Sequence, residues 1–172
     1  YRDSLWPISA GVIGLLGARV QALPHKMQVA RQALNDRSVR FLLADEVGLG
    51  KTIEAGLIMQ SLLAIRPSMR VLIIVPGALV SQWFLEMFVK FGGRQFTMFD
   101  AERLATYGGN AWGDEQFVIA SSHCIEALKG AQAVRFAQSK WDMIIVDECH
   151  RMQPGGPLYK RVSILSKNKP HV

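Results

Sequence analysis

Short, nearly continuous hydrophobic runs alternate with stretches of helical periodicity along most of this chain. Val71-Leu72-Ile73-Ile74-Val75 is almost entirely β-branched and ends at Pro76-Gly77, the pattern of a strand buried on both faces. Residues 41–44 (Phe-Leu-Leu-Ala), 117–120 (Phe-Val-Ile-Ala) and 143–146 (Met-Ile-Ile-Val) read the same way, and residues 95–99 predict a shorter strand. Between them, residues 51–63, 79–89 and about 123–138 predict helices. The aromatic and methionine stripe of residues 79–89 reads as core rather than as a binding surface. Tyr107-Gly108-Gly109-Asn110 is a turn or loop. Alternation of this kind predicts an α/β fold with a mainly parallel sheet.

The join between the run at 41–44 and the helix at 51–63 carries the chemistry. Asp45-Glu46-Val47-Gly48-Leu49-Gly50-Lys51-Thr52 is a glycine-containing turn between a strand and a helix start, the context of a phosphate-binding loop. Gly48 and Gly50 let the backbone close round an anion with no Cβ in the way. Amides at the helix start favour negative charge. Lys51 then reaches the β- and γ-phosphates, Leu49 and Gly50 line the cradle, and the Thr52 hydroxyl serves Mg2+. The general GxxxxGK[ST] pattern has glycine where this chain has Asp45.

A second candidate lies 95 residues beyond Thr52. The strand at 143–146 delivers Asp147 and Glu148, followed by Cys149 and His150. An isolated Asp-Glu at a strand end is usually a solvated loop entrance. Paired with a phosphate loop, it reads as a metal carboxylate (Asp147) and a group that orients or deprotonates the attacking water (Glu148). Both candidates fall at carboxyl ends of strands, where open α/β sheets bind ligands.

Composition narrows the picture modestly. The 172 residues are 49% hydrophobic and 20% charged, enough for one domain with a sizeable core. No apolar run approaches the ~20 residues of a membrane span. Residues 8–16 are apolar and rich in small side chains, but lack a basic leader and an obvious cleavage site. They read as a helix or packing segment rather than a signal core. Cys124 and Cys149 are far apart with no CxxC pair, which argues against zinc and a disulfide framework and fits a reducing cytoplasm. The net charge of +6 invites a nucleic-acid partner. From Arg151 onward there are five basic residues and no acidic ones, so the remainder, at 15 basic against 14 acidic, is nearly neutral. A run of that kind also describes a solvated face.

Taken together, three segments resemble the Swi/Snf-type ATPases of helicase superfamily two. DEVGLGKT resembles that family's first motif, which has Asp where the general pattern has Gly, so Asp45 fits. RVLIIVPGALVSQW resembles the segment after its second core strand. DECH resembles its DEAH box, with Cys149 for alanine. VRFLLADEVGLGKTIEAGLI is most similar to the bacterial, RNA-polymerase-associated branch, and the resemblance covers about residues 20–152.

This resemblance implies a RecA-like P-loop NTPase lobe, a three-layer sandwich. Residues 1–22 would flank it, and residues 23–172 would form the first lobe, cut before its third motif. It implies ATP and Mg2+ as cofactors, with Lys51, Asp147 and Glu148 catalytic. Thr52 and Asp147 serve the metal, and Gly48, Leu49, Gly50, Lys51, Thr52 and His150 lie at the nucleotide. His150 would also couple that site to nucleic acid. Pro76, Gln82 and Trp83 match the segment near which family members contact the nucleic-acid backbone, although Trp83 equally suits a core anchor. Gln28 is the candidate adenine contact, with a surface helix glutamine as the alternative. The implied function is an ATP-dependent translocase on double-stranded DNA, partnered by RNA polymerase or a defence complex, with no membrane role. A strand-separating helicase on RNA or single-stranded DNA and a nucleotide-gated protein scaffold are the alternatives. With no second lobe in the sequence, the expectation is a fragment that binds ATP–Mg2+ weakly and hydrolyses it negligibly.

Overall fold

A computed structural model describes residues 50–91, 95–107 and 110–167. The strand expected at 41–44, together with Gln28, Gly48, Leu49, Gly108 and Gly109, lies outside the described residues.

Four parallel strands make the sheet: β1 (Val71–Val75), β2 (Thr97–Phe99), β3 (Phe117–Ser121) and β4 (Met143–Val146), in the order β2-β3-β1-β4. In register, Val71 stands opposite both Phe117 and Met143, and Thr97 opposite Val118. Every residue of β1 and of β3 is buried. That explains why these strands read as continuous apolar runs rather than alternating ones. Leu72, Ile74, Val118, Ala120 and Ile144 face one core with Phe99, Trp112, Phe136, Trp141 and Leu165. Trp112 and Phe136 meet edge to face with centroids 4.8 Å apart.

The helices follow the sequence pattern less closely. α1 (Lys51–Ile65) and α2 (Val80–Lys90) are where the periodicity puts them, the latter entered through a 3-10 turn at Gly77–Leu79. Trp83 and Met87 are buried, but Leu85, Phe88 and Val89 are about half exposed, so only part of the expected stripe is core. The short strand starts at Thr97, two residues later than expected. Two short helices, α3 (Ala101–Thr106) and α4 (Ala111–Asp114), were not legible in the periodicity. α3 does have a local signal, since the Asp100 side chain caps it by accepting from the Arg103 amide at 2.8 Å.

The single helix expected over 123–138 is two: α5 (Ser122–Ala127) and α6 (Gly130–Gln138). Leu128 leaves helical geometry at ψ 132, and Gly130 takes φ 53. α5 begins directly at the end of β3, where the Ser121 hydroxyl accepts from the Cys124 amide at 3.0 Å. A last helix, α7 (Pro157–Ser166), starts on a proline and buries Leu158, Val162 and Leu165.

The chain divides into two compact units. One holds α1 with the later half of α2, and there Gly56 lies against the Phe91 ring. The other holds the sheet, the first turn of α2 and α3 to α7.

Candidate functional site

The start of α1 holds the last three residues of the candidate phosphate loop, Gly50, Lys51 and Thr52. Gly50 is the residue before the helix, in the left-handed region at φ 89 and ψ 38. A side chain there would be strained, so this position requires glycine. No side chain caps the helix, while the Ile53 and Glu54 amides turn back to the Gly50 carbonyl at 2.9 and 3.1 Å. A 15-residue helix begun by glycine places the positive end of its dipole at Lys51 and Thr52, a setting that favours negative charge. Lys51 and Thr52 open that helix, both partly buried.

The acidic box sits at the carboxyl end of β4. The Asp147 amide donates to the Ile74 carbonyl at 2.9 Å, extending the β1–β4 ladder one residue beyond Val146. This fixes the Asp147 backbone. Its carboxylate is held on both oxygens: Oδ1 accepts from the Glu148 amide at 2.9 Å and Oδ2 from the Trp83 indole at 2.8 Å. Glu148 then turns the chain sharply, at φ 52 and ψ 38, as the one non-glycine residue in the left-handed region among the described residues. Such backbone geometry costs about 1–3 kcal/mol and concentrates at functional sites.

A 3-10 turn (Cys149–Arg151) follows. It brings His150 Nε2 to 3.2 Å and Arg151 Nε to 3.4 Å from Glu148 Oε2. Both partners are largely exposed, so these contacts orient the carboxylate more than they stabilise the fold. Arg151 was not singled out in the sequence, although a basic residue three positions after a candidate base is a readable signal.

Pro76 is partly buried at the exit of β1, Gln82 is exposed on α2, and Trp83 is buried at 4% exposure. Trp83 is therefore a core anchor whose polar edge reaches Asp147. An open depression of about 350 Å³ lies at the opposite, amino-terminal edge of the sheet, lined by Arg70, Trp112, Arg135 and Lys140 among others. Its central cation is already engaged: Arg70 donates to the carbonyls of Glu115, Lys140 and Trp112 at 2.7–3.1 Å and stacks 4.3 Å from the Trp141 ring. That edge is structural.

The model of the SNF2-related domain matches residues 26–168. This chain belongs to the SNF2-related domain family. Among curated proteins, this SNF2-related chain is 41% identical over 170 residues to the RNA polymerase-associated protein RapA of Pectobacterium atrosepticum, covering 92% of the chain and 17% of that protein. It is also 41% identical over 152 residues to the RapA protein of Pseudomonas aeruginosa, covering 88% of the chain and 15% of that protein. The chain thus spans about a sixth of the length of these relatives. Among solved structures it is similar to the Sulfolobus solfataricus SWI2/SNF2 ATPase core in complex with dsDNA, with a TM-score of 0.71 at 17% identity over 90% of this chain and 31% of that one. The SNF2-related fold is accordingly RecA-like, with the parallel sheet as its centre.

Proposed function

We propose that this chain is the ATP-binding lobe of an ATP-dependent nucleic-acid translocase acting on double-stranded DNA, an ATP hydrolase completed by a second lobe. The observation that carries this reading is Asp147 at the carboxyl end of β4, its carboxylate fixed on both oxygens and followed at once by Glu148. The donor set suits the cofactors. Gly50 opens an uncapped helix N-terminus for phosphate, and Thr52 and Asp147 are oxygen donors of the kind Mg2+ takes. Mg2+ neutralises charge on the transferred phosphoryl group when bound.

In this reading, Gly48, Leu49 and Gly50 wrap the phosphates with backbone, and Lys51 binds them by charge. Glu148 orients the attacking water and receives its proton, with His150 beside it. Gln28 remains the candidate adenine contact. Residues 1–22 flank the lobe, to which residues 23–172 belong. The relatives' length supports a second lobe outside this chain, and hydrolysis by the chain alone is negligible because transition-state charge on the γ-phosphate is left without an arginine finger, worth ~10³–10⁵ in rate.

Double-stranded DNA is favoured over RNA by the similarity to the SWI2/SNF2 core solved with dsDNA. RNA polymerase is the proposed protein partner on the strength of the RapA relatives' name, in a cytoplasmic setting. The test is ATPase activity of the intact protein carrying this chain, with duplex DNA, single-stranded DNA and RNA as stimulants. Stimulation by duplex DNA that Lys51→Ala abolishes is expected. Stimulation by RNA or single strands alone would favour a strand-separating helicase. Undiminished cellular function of Glu148→Gln would favour a scaffold.

A further inference from the structure

Three tryptophans are placed among the described residues, and their indole N–H groups have three different fates. Trp141 donates to the Ser139 hydroxyl at 2.8 Å, two residues away, within its own loop. The buried Trp112 nitrogen has no partner among the described residues. Trp83 spans 64 positions to donate to Asp147 Oδ2 at 2.8 Å. A buried indole needs only some acceptor, and a nearby carbonyl or hydroxyl suffices, as Trp141 demonstrates. Trp83 instead takes a carboxylate that is also bonded to the Glu148 amide.

The two donors approach from different elements, one from the first turns of α2 and one from the backbone after β4. With one donor on each oxygen, rotation about the Cβ–Cγ bond is blocked. About half of the carboxylate's roughly four lone-pair sites stay open for further ligands. Trp83 is itself buried, at 4% exposure, which limits the rotamers open to its indole.

We propose that Trp83 is a positioning residue for Asp147: its indole N–H sets the orientation in which that carboxylate receives Mg2+ or a magnesium-bound water. This rests on the reading of Asp147 as the metal carboxylate. Trp83 touches neither nucleotide nor metal; it acts through Asp147 alone. Outer partners of this kind typically contribute 10–100-fold to metal affinity.

The experiment uses the whole chain and a fluorescent N-methylanthraniloyl-ATP, with affinity measured in Mg2+ and in EDTA. The ratio of the two is the readout. Trp83→Phe, which keeps an aromatic ring and removes the N–H, should shrink the ratio ~10-fold and leave the EDTA affinity unchanged. Asp147→Asn should abolish the ratio. Trp141→Phe should lower the unfolding midpoint and leave the ratio intact. If Trp83→Phe behaves like Trp141→Phe while Asp147→Asn abolishes the ratio, Trp83 is structural and the proposal fails alone. If Asp147→Asn leaves the ratio unchanged, the magnesium role of Asp147 fails and the proposal with it.

Should Trp83→Phe not fold, the Trp83 indole resonance of ¹⁵N-labelled wild-type chain gives the answer. It should move when Mg2+ is added to the ATP-bound chain and stay put in Asp147→Asn. A resonance unmoved by Mg2+ in the wild type overturns the positioning role.

Discussion

Glu148 sets stability against chemistry more sharply than any other of the described residues. Its left-handed backbone at φ 52 suits glycine, yet a carboxylate stands there. Because glutamine and glutamate share the backbone penalty, Glu148→Gln should keep the fold and ATP binding while abolishing hydrolysis in the intact protein, read as phosphate release against nucleotide affinity. Comparing Glu148→Gly with Glu148→Ala isolates the strain, since both lose the carboxylate. The glycine variant should be more stable by about 1 kcal/mol in urea unfolding.

Tyr107 offers a second residue-scale test. Its hydroxyl donates to Glu115 Oε1 at 2.6 Å, and that bond, aided by burial and the nearby negative charge, raises its pKa from 10.0 to about 12. The folded value lies above the unfolded one, so this contribution is complete below pH 10 and fades as pH rises to about 12. The stability difference between wild type and Tyr107→Phe should therefore shrink over that window in unfolding titrations.

At the scale of elements, α1 is held by a close approach that only glycine permits. A Cβ on Gly56 would lie 2.2 Å from the Phe91 ring, which is buried at 1% exposure and has little room to yield. Alanine is the better helix former by about 1 kcal/mol, yet overpacking costs about 1–3 kcal/mol and wins. Gly56→Ala should thus lower the unfolding midpoint, and Phe91→Leu should recover part of the loss in the double variant. Sequence periodicity found α1 and α2 because their repeats are long enough to register. It missed α3 and α4, at six and four residues, because each makes less than two turns and depends on packing. The break at Gly130 escaped notice for another reason. A lone glycine inside a helical pattern is often tolerated, and only the non-helical Leu128 and the positive φ of Gly130 show that here one helix stops and a second begins.

For the molecule as a whole, Arg70 ties the amino-terminal edge of the sheet together. One guanidinium serves carbonyls from Trp112, Glu115 and Lys140, and the Arg70 backbone amide donates to Asp142 Oδ2 at 2.9 Å. Burial pushes its pKa down, opposed by the charges of Asp142 and Asp114. Lysine has no planar fork, so Arg70→Lys should cost about 2 kcal/mol in denaturant unfolding. That variant should leave nucleotide affinity unchanged, because the clamp sits at the opposite end of the strands from Asp147. The proposed grip on the DNA backbone makes a prediction at this scale too. Duplex binding by the intact protein should fall steeply and linearly on a log–log plot against salt, with little dependence on sequence.

The sequence by itself determined the four strands of the described sheet, the two long helices and the family, and it named the candidate chemical groups. Buried parallel strands write themselves as continuous apolar runs, and phosphate and metal sites demand particular residue types at fixed spacing. Only the tertiary structure decided how those groups are held. Nothing in the spacing of Trp83 and Asp147 announces a bond across 64 positions, nor that Glu148 adopts a left-handed backbone with His150 and Arg151 at its carboxylate. Such contacts depend on how strands and helices are layered, and local sequence does not encode that layering. The physical reason is one of range: residue type and local periodicity act over a few positions, whereas orientation of a carboxylate is settled by whichever distant donor the fold brings to it.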